Sequence, residues 1–149
     1  MVNLVVNRIV KEAMKPIQDS QKQLPYDVRD IENVFSQTLA RESGIRMLML
    51  STADGLAIAE ISNIKNDKRR VAAMTNSFLT LGETVTRELN LNQAEYTTVS
   101  AQNGQIVLVR IKAKKPLTLT AAANVDLNIA SLLFHTRECA KKILKIVDK

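Results

Sequence analysis

The stretch Arg46–Ser62, RMLMLSTADGLAIAEIS, decides the fold. Two apolar runs flank Asp54–Gly55, and an Asp-Gly pair suits a tight turn because glycine takes positive φ without steric cost. The segment predicts an antiparallel hairpin, with one strand from Ile45 to Ser51 and the next from Leu56 to Ile61. A hairpin this apolar needs cover on at least one face, so the helices around it set the architecture.

Upstream, Asp27 can cap a helix from Val28 to about Glu42, in which Val28, Ile31, Phe35 and Leu39 recur at helical spacing; Ser43–Gly44 ends it. Downstream, the polar SNIKNDKRR (62–70) leads into a long helix over about 67–89. There Val71, Met74, Phe78, Leu81, Val85 and Leu89 form an apolar stripe, read as core covering the sheet. A second stripe lies beside it: Ala72, Thr75, Asn76, Leu79, Gly82, Glu83 and Thr86, mostly small residues. Glycine in mid-helix costs about 1 kcal/mol relative to alanine, and close approach of another helix at Gly82 would offset it. This second stripe is therefore expected to face sideways and mediate self-association.

Three strands and a helix complete the order. QAEYTTVSA (93–101) and QIVLVRIKA (105–113) read as a hairpin turning at Asn103–Gly104, and LTLTAAANV (117–125) follows Lys114–Lys115–Pro116. Asp126 can cap a final helix to about Val147, with Ile129, Leu132, Leu133, Thr136, Cys139, Ala140, Ile143 and Ile146 on its buried side. At the other end, Val2, Val6, Ile9, Val10, Ala13 and Ile17 share one side of an amphipathic N-terminal helix, followed by the polar linker QDSQKQLPY (18–26). Asn3, Asn7 and Arg8 interrupt its apolar run, so it reads as a packing segment and not a secretory signal. The expected class is α+β, a sandwich with the long helix on one sheet face and the helices at 28–42 and 126–147 on the other. Residues 1–26 form the N-terminal helix and linker, and 27–149 the main domain.

Composition narrows the function. With 46% hydrophobic and 24% charged residues the chain is an ordinary folded protein, and one cysteine in 149 residues points to a reducing compartment, the cytoplasm. The net charge of +6 gathers at 65–70, 110–115 and 141–149, where no aromatic residues interleave to stack on bases; solvated faces are the expected reading, Arg110 and Lys112 included, and nucleic acid is a remote one. His135 is the single histidine. It stands four residues before Cys139, a spacing open to a nucleophile pair or half a metal site, or to a packed thiol beside a satisfied imidazole, which is the ordinary case. Glycines at 44, 55, 82 and 104 stand alone, and neither phosphate-loop pattern occurs. No enzyme, metal or cofactor is expected.

The strand-turn pattern MLMLSTADGLAIAE, the helix RRVAAMTNSFLTLGETVTREL and the closing LTLTAAANVDLNIASLLFHTRECAKKI together resemble the roadblock family of dynein light chains and bacterial GTPase regulators, over about Val28–Val147. The resemblance implies a profilin-like, five-stranded antiparallel sheet between helices, in the order α-β-β-α-β-β-β-α, here preceded by an extra N-terminal helix. It implies a homodimer, or a heterodimer with another roadblock protein, whose long helices pack antiparallel and whose third strands pair. Transferred to this chain, Ala72, Thr75, Asn76, Leu79, Gly82 and Thr86 would form the helix contact, and Tyr96, Thr97, Thr98 and Val99 the strand contact. It further implies a non-catalytic scaffold that binds and regulates a small Ras-like GTPase, with Lys68, Arg69 and Arg70 against an acidic partner surface. The alternative within the family is a structural adaptor that binds no GTPase.

Overall fold

The computed structural model describes residues 24–149; the N-terminal helix expected over residues 1–17 lies outside them. The element order is α1 (Val28–Arg41), β1 (Ile45–Thr52), β2 (Ala57–Ser62), α2 (Lys68–Glu88), β3 (Thr97–Ala101), β4 (Gly104–Ile111), β5 (Leu117–Asn124) and α3 (Ile129–Val147). The strands form one sheet in the order β2-β1-β5-β4-β3, antiparallel throughout. This is the predicted five-stranded sandwich.

The sheet has two faces of different chemistry because alternate residues of a strand point to opposite sides. Leu48 and Leu50 of β1, Val107 and Val109 of β4, and Leu117, Leu119 and Ala121 of β5 share one face with Ile31 and Phe35 of α1 and Leu132, Cys139 and Ile143 of α3. This is the main core, and Leu24 and Tyr26 from the expected linker pack against it. On the opposite face, Met47, Met49 and Ala122 lie under Ala72 of α2 in a smaller cluster.

Three local expectations are corrected. Gly104 is not in the turn but pairs with Ala101 as the first residue of β4, leaving Gln102 and Asn103 at the tip. Glycine is needed there because a Cβ would stand 2.5 Å from the Ala123 carbonyl oxygen of β5. Asn128, not Asp126, caps α3, its side-chain oxygen accepting from the Ser131 N–H. The third strand starts at Thr97 and not Gln93. Two other readings hold: Asp27 caps α1, and Gly55 takes φ +91° in the hairpin turn; Asp67 caps α2 in the same way.

The largest correction concerns α2. Its apolar stripe does not cover the sheet; Met74, Phe78, Leu81 and Val85 are 58, 45, 61 and 47% exposed. Ala72, Asn76 and Leu79 of the small stripe are the buried ones, packed on the protomer's own sheet, so they cannot supply a contact between protomers. Gly82 likewise admits β3 of its own chain: a Cβ there would meet the Thr97 hydroxyl. The cause is the polarity of the sheet face below. Ser51, Thr118 and Arg110 point toward α2, and large apolar side chains set against them would bury hydrogen-bonding groups unpaired, as the Thr120 hydroxyl on the same face is. Asn76 meets that surface instead, its amide donating to Ser51 Oγ and to the Ala72 carbonyl, and its oxygen accepting from Thr118 Oγ1.

Arg110 completes this layer. It does not sit on a solvated face, for its side chain is only 11% exposed. Its Nη2 donates to Glu83 Oε1 at 2.8 Å and to Thr80 Oγ1, and its Nη1 donates to Asn76 and Thr118. The long helix is thus held to β4 and β5 by directional bonds as well as by packing.

Candidate functional site

The surface that α2 presents follows from helical geometry. At about 100° per residue, Met74, Phe78 and Leu81 lie nearly opposite Asn76 and Leu79. With the latter fixed on the sheet, the former must point outward. They border a shallow groove of about 370 Å³ along the helix, shared with Ala73 and Ser77. The stripe continues past the helix end through the exposed Leu89 and Leu91. An apolar row of this length on an outer helix face marks an interaction surface.

Edge strand β3 runs beside this helix, brought there by the Gly82–Thr97 approach. One side of β3 pairs with β4, and no described strand pairs with the other. Its residues are largely exposed, Val99 among them, and Val99 shares the α2 face of the sheet because it registers with Ile106. Thr98 Oγ1 donates to the Ile106 carbonyl, and the Tyr96 ring lies under the Arg137 guanidinium at 5.5 Å. Of the predicted contact residues, Tyr96, Thr98 and Val99 are exposed, and Thr97 is half-buried beneath Gly82.

Lys68, Arg69 and Arg70 occupy the exposed first turn of α2, next to the β1–β2 turn, where Gly55 approaches Ala73. Asp67 caps the turn by accepting from the Arg69 and Arg70 amides. Three cations at the positive end of a helix dipole, with no acidic residue in that first turn, work against helix stability.

The His135–Cys139 pair takes the ordinary reading. Cys139 is buried and burial pushes its thiol up to about 11, against the opposing effect of a hydrogen bond with Thr38. That leaves it protonated at neutral pH and a poor nucleophile. His135 packs edge-on against Phe134, with its Nε2 4.0 Å from Glu42 Oε2. No helix among the described residues is long and apolar enough to cross a membrane.

Sequence reasoning missed the outward stripe because a row of large apolar residues reads as core in any single chain. The available signal was in β5: LTLT alternation puts Thr118 and Thr120 on one face and Leu117 and Leu119 on the other. A helix lined by Asn76 and Thr75 matches the threonine face, which frees its apolar side.

A five-stranded antiparallel sheet with one long helix on one face, two on the other and an open third strand is a profilin-like build. The Roadblock/LC7 domain profile matches residues 32–121, and the chain belongs to that family. No curated protein sequence matches it. Among solved structures, the gliding protein MglB of Thermus thermophilus superposes with TM-score 0.70 at 12% identity, covering 80% of this chain and 89% of that one. Myxococcus xanthus MglB gives TM-score 0.70 at 11% identity, covering 80% and 88%. A Roadblock/LC7 domain from Streptomyces avermitilis gives 0.65 at 15% identity, covering 72% and 89%. At these identities the likeness is one of fold.

Proposed function

We propose that this chain is a non-catalytic cytoplasmic scaffold that forms a homodimer and, as a dimer, binds and regulates a small Ras-like GTPase. The observation that carries the reading is the outward apolar stripe of Met74, Phe78, Leu81 and Val85 beside the open edge of β3. Burying one such side chain fully contributes about 1.5–3 kcal/mol, so two copies meeting along this stripe gain enough to associate. The helix contact is made by that stripe and the strand contact by Tyr96, Thr97, Thr98 and Val99. Lys68, Arg69 and Arg70 flank the paired helices and meet acidic residues of the GTPase. Family membership supports a regulatory role without an active site of its own.

The test has two parts. Light scattering of the whole chain should give twice the monomer mass. The immobilised dimer should then retain small GTPases of its own organism according to their bound nucleotide, and Lys68→Glu/Arg70→Glu should abolish retention while leaving the dimer intact. A monomer would overturn the platform. A dimer that retains no GTPase in either nucleotide state would favour the structural adaptor.

A further inference from the structure

The geometry points to a second site: a cleft at the β4 edge that binds a small phosphate-bearing polyanion through Arg87, Lys112 and Arg137. The cleft exists because β3 is shorter than its neighbour. Pairing between them ends at Thr97 with Leu108, so Val109–Ile111 of β4 pair with β5 on one side and have no described strand on the other. The chain leaving α2 detours around this notch. Asn90 closes the helix at φ 58°, the Leu91 N–H donating to the Thr86 carbonyl, and Asn92 turns the chain again at φ 71°. The result is a cleft of about 880 Å³ with an adjoining hollow of about 320 Å³.

Charge in this space is not balanced. Among the described residues Arg87, Arg110, Lys112 and Arg137 face Glu83 and Glu95 alone, which leaves a net +2 on the walls. Arg110 is spent on Glu83, Asn76, Thr80 and Thr118 and contributes only its field. The Lys112 ammonium donates to the neutral Gln93 Oε1 at 2.6 Å and makes no ion pair among the described residues, so two of its N–H groups remain for a ligand. Arg137 gives one bond to the exposed Glu95, and Arg87 makes no ion pair among the described residues.

The ligand class follows from what the cleft lacks. Leu91 and Ala94 are the apolar lining of the cleft and Ala113 and Pro116 that of the adjoining hollow, so a peptide would find little to anchor a large side chain. A compact, charge-dense group would obtain its affinity from charge-assisted bonds to the lysine and the arginines, and phosphate suits both.

Pyrophosphate is the probe, titrated into the full chain at low ionic strength and followed by amide NMR and calorimetry. Shifts should centre on Gln93–Glu95 and Arg110–Lys112. Lys112→Gln/Arg137→Gln should weaken binding about tenfold, as expected for loss of charge-assisted bonds, with unchanged melting. The control Lys65→Gln/Lys149→Gln removes the same charge elsewhere and should leave affinity within about twofold. Equal weakening in both variants, shifts spread over all basic surfaces, or no shift at millimolar pyrophosphate would overturn the site. Citrate binding as tightly would overturn the phosphate assignment. None of these outcomes bears on dimerisation or on GTPase retention.

Discussion

Gly82 of the long helix lies so close to Thr97 of the edge strand that a Cβ built on it would stand 2.7 Å from the Thr97 hydroxyl oxygen. The glycine therefore serves the chain's own helix–strand contact. Alanine at position 82 gains about 1 kcal/mol of helix propensity but must displace that hydroxyl. In a Thr97→Ala background the nearest remaining side-chain atom, the Cβ of residue 97, is at 3.9 Å, an ordinary contact. Urea denaturation should accordingly show Gly82→Ala to be more favourable with Thr97→Ala than without it, by about 1 kcal/mol. Additive effects would mean that the two residues are not in contact.

The outward stripe separates association from folding. Leu81→Glu changes a side chain that is 61% exposed in the protomer. The chain should elute and scatter as a monomer while its denaturation midpoint, extrapolated to infinite dilution, moves by less than about 0.5 kcal/mol. Loss of fold along with the dimer would place Leu81 in the core after all.

The ion pair under α2 behaves differently from one on the surface. Arg110→Met removes five bonds and leaves Glu83, Asn76 and Thr118 short of a donor in a partly buried layer. We expect a loss of about 2–4 kcal/mol, weakly dependent on salt. Glu83→Gln keeps an acceptor for Arg110 and should cost less than half as much. A strongly salt-screened, sub-kilocalorie effect of Arg110→Met would show the layer to be open to solvent.

Gly104 should tolerate substitution less well than its place beside a turn suggests. A Cβ there meets backbone, the Ala123 carbonyl oxygen at 2.5 Å, which can move only if β4 and β5 separate. Gly104→Ala should lower stability by at least about 3 kcal/mol, seen as a melting shift and faster amide exchange in β4. An unperturbed melting temperature would contradict the register.

Burial holds the Cys139 thiol at about 11, above its ordinary value near 9. The folded state keeps the proton more tightly than the unfolded chain. The stabilisation is thus complete below about pH 9 and is lost as pH rises through about 11, roughly 3 kcal/mol in all. Comparing wild type with Cys139→Ala across that range isolates the effect from other titrating groups, since only the wild type carries it. The same burial predicts negligible alkylation of the native thiol at neutral pH and full alkylation in denaturant.

Element order, the Asp27 cap, the Gly55 turn and the family were all legible in the amino-acid string, because these rest on local rules: periodicity, capping chemistry and positive φ. The two stripes on the long helix were legible as well. Which of them faces inward was not, and needed the folded arrangement. The answer depends on β4 and β5, far away along the chain, whose Arg110, Thr118 and Thr120 make that sheet face polar. Asn76 and Glu83 meet that polarity, and Met74, Phe78, Leu81 and Val85 are turned outward as a consequence. A helix shows its hydrophobic side in its own residues, but here its inner side is the one that hydrogen-bonds Ser51, Thr118 and Arg110 beneath it.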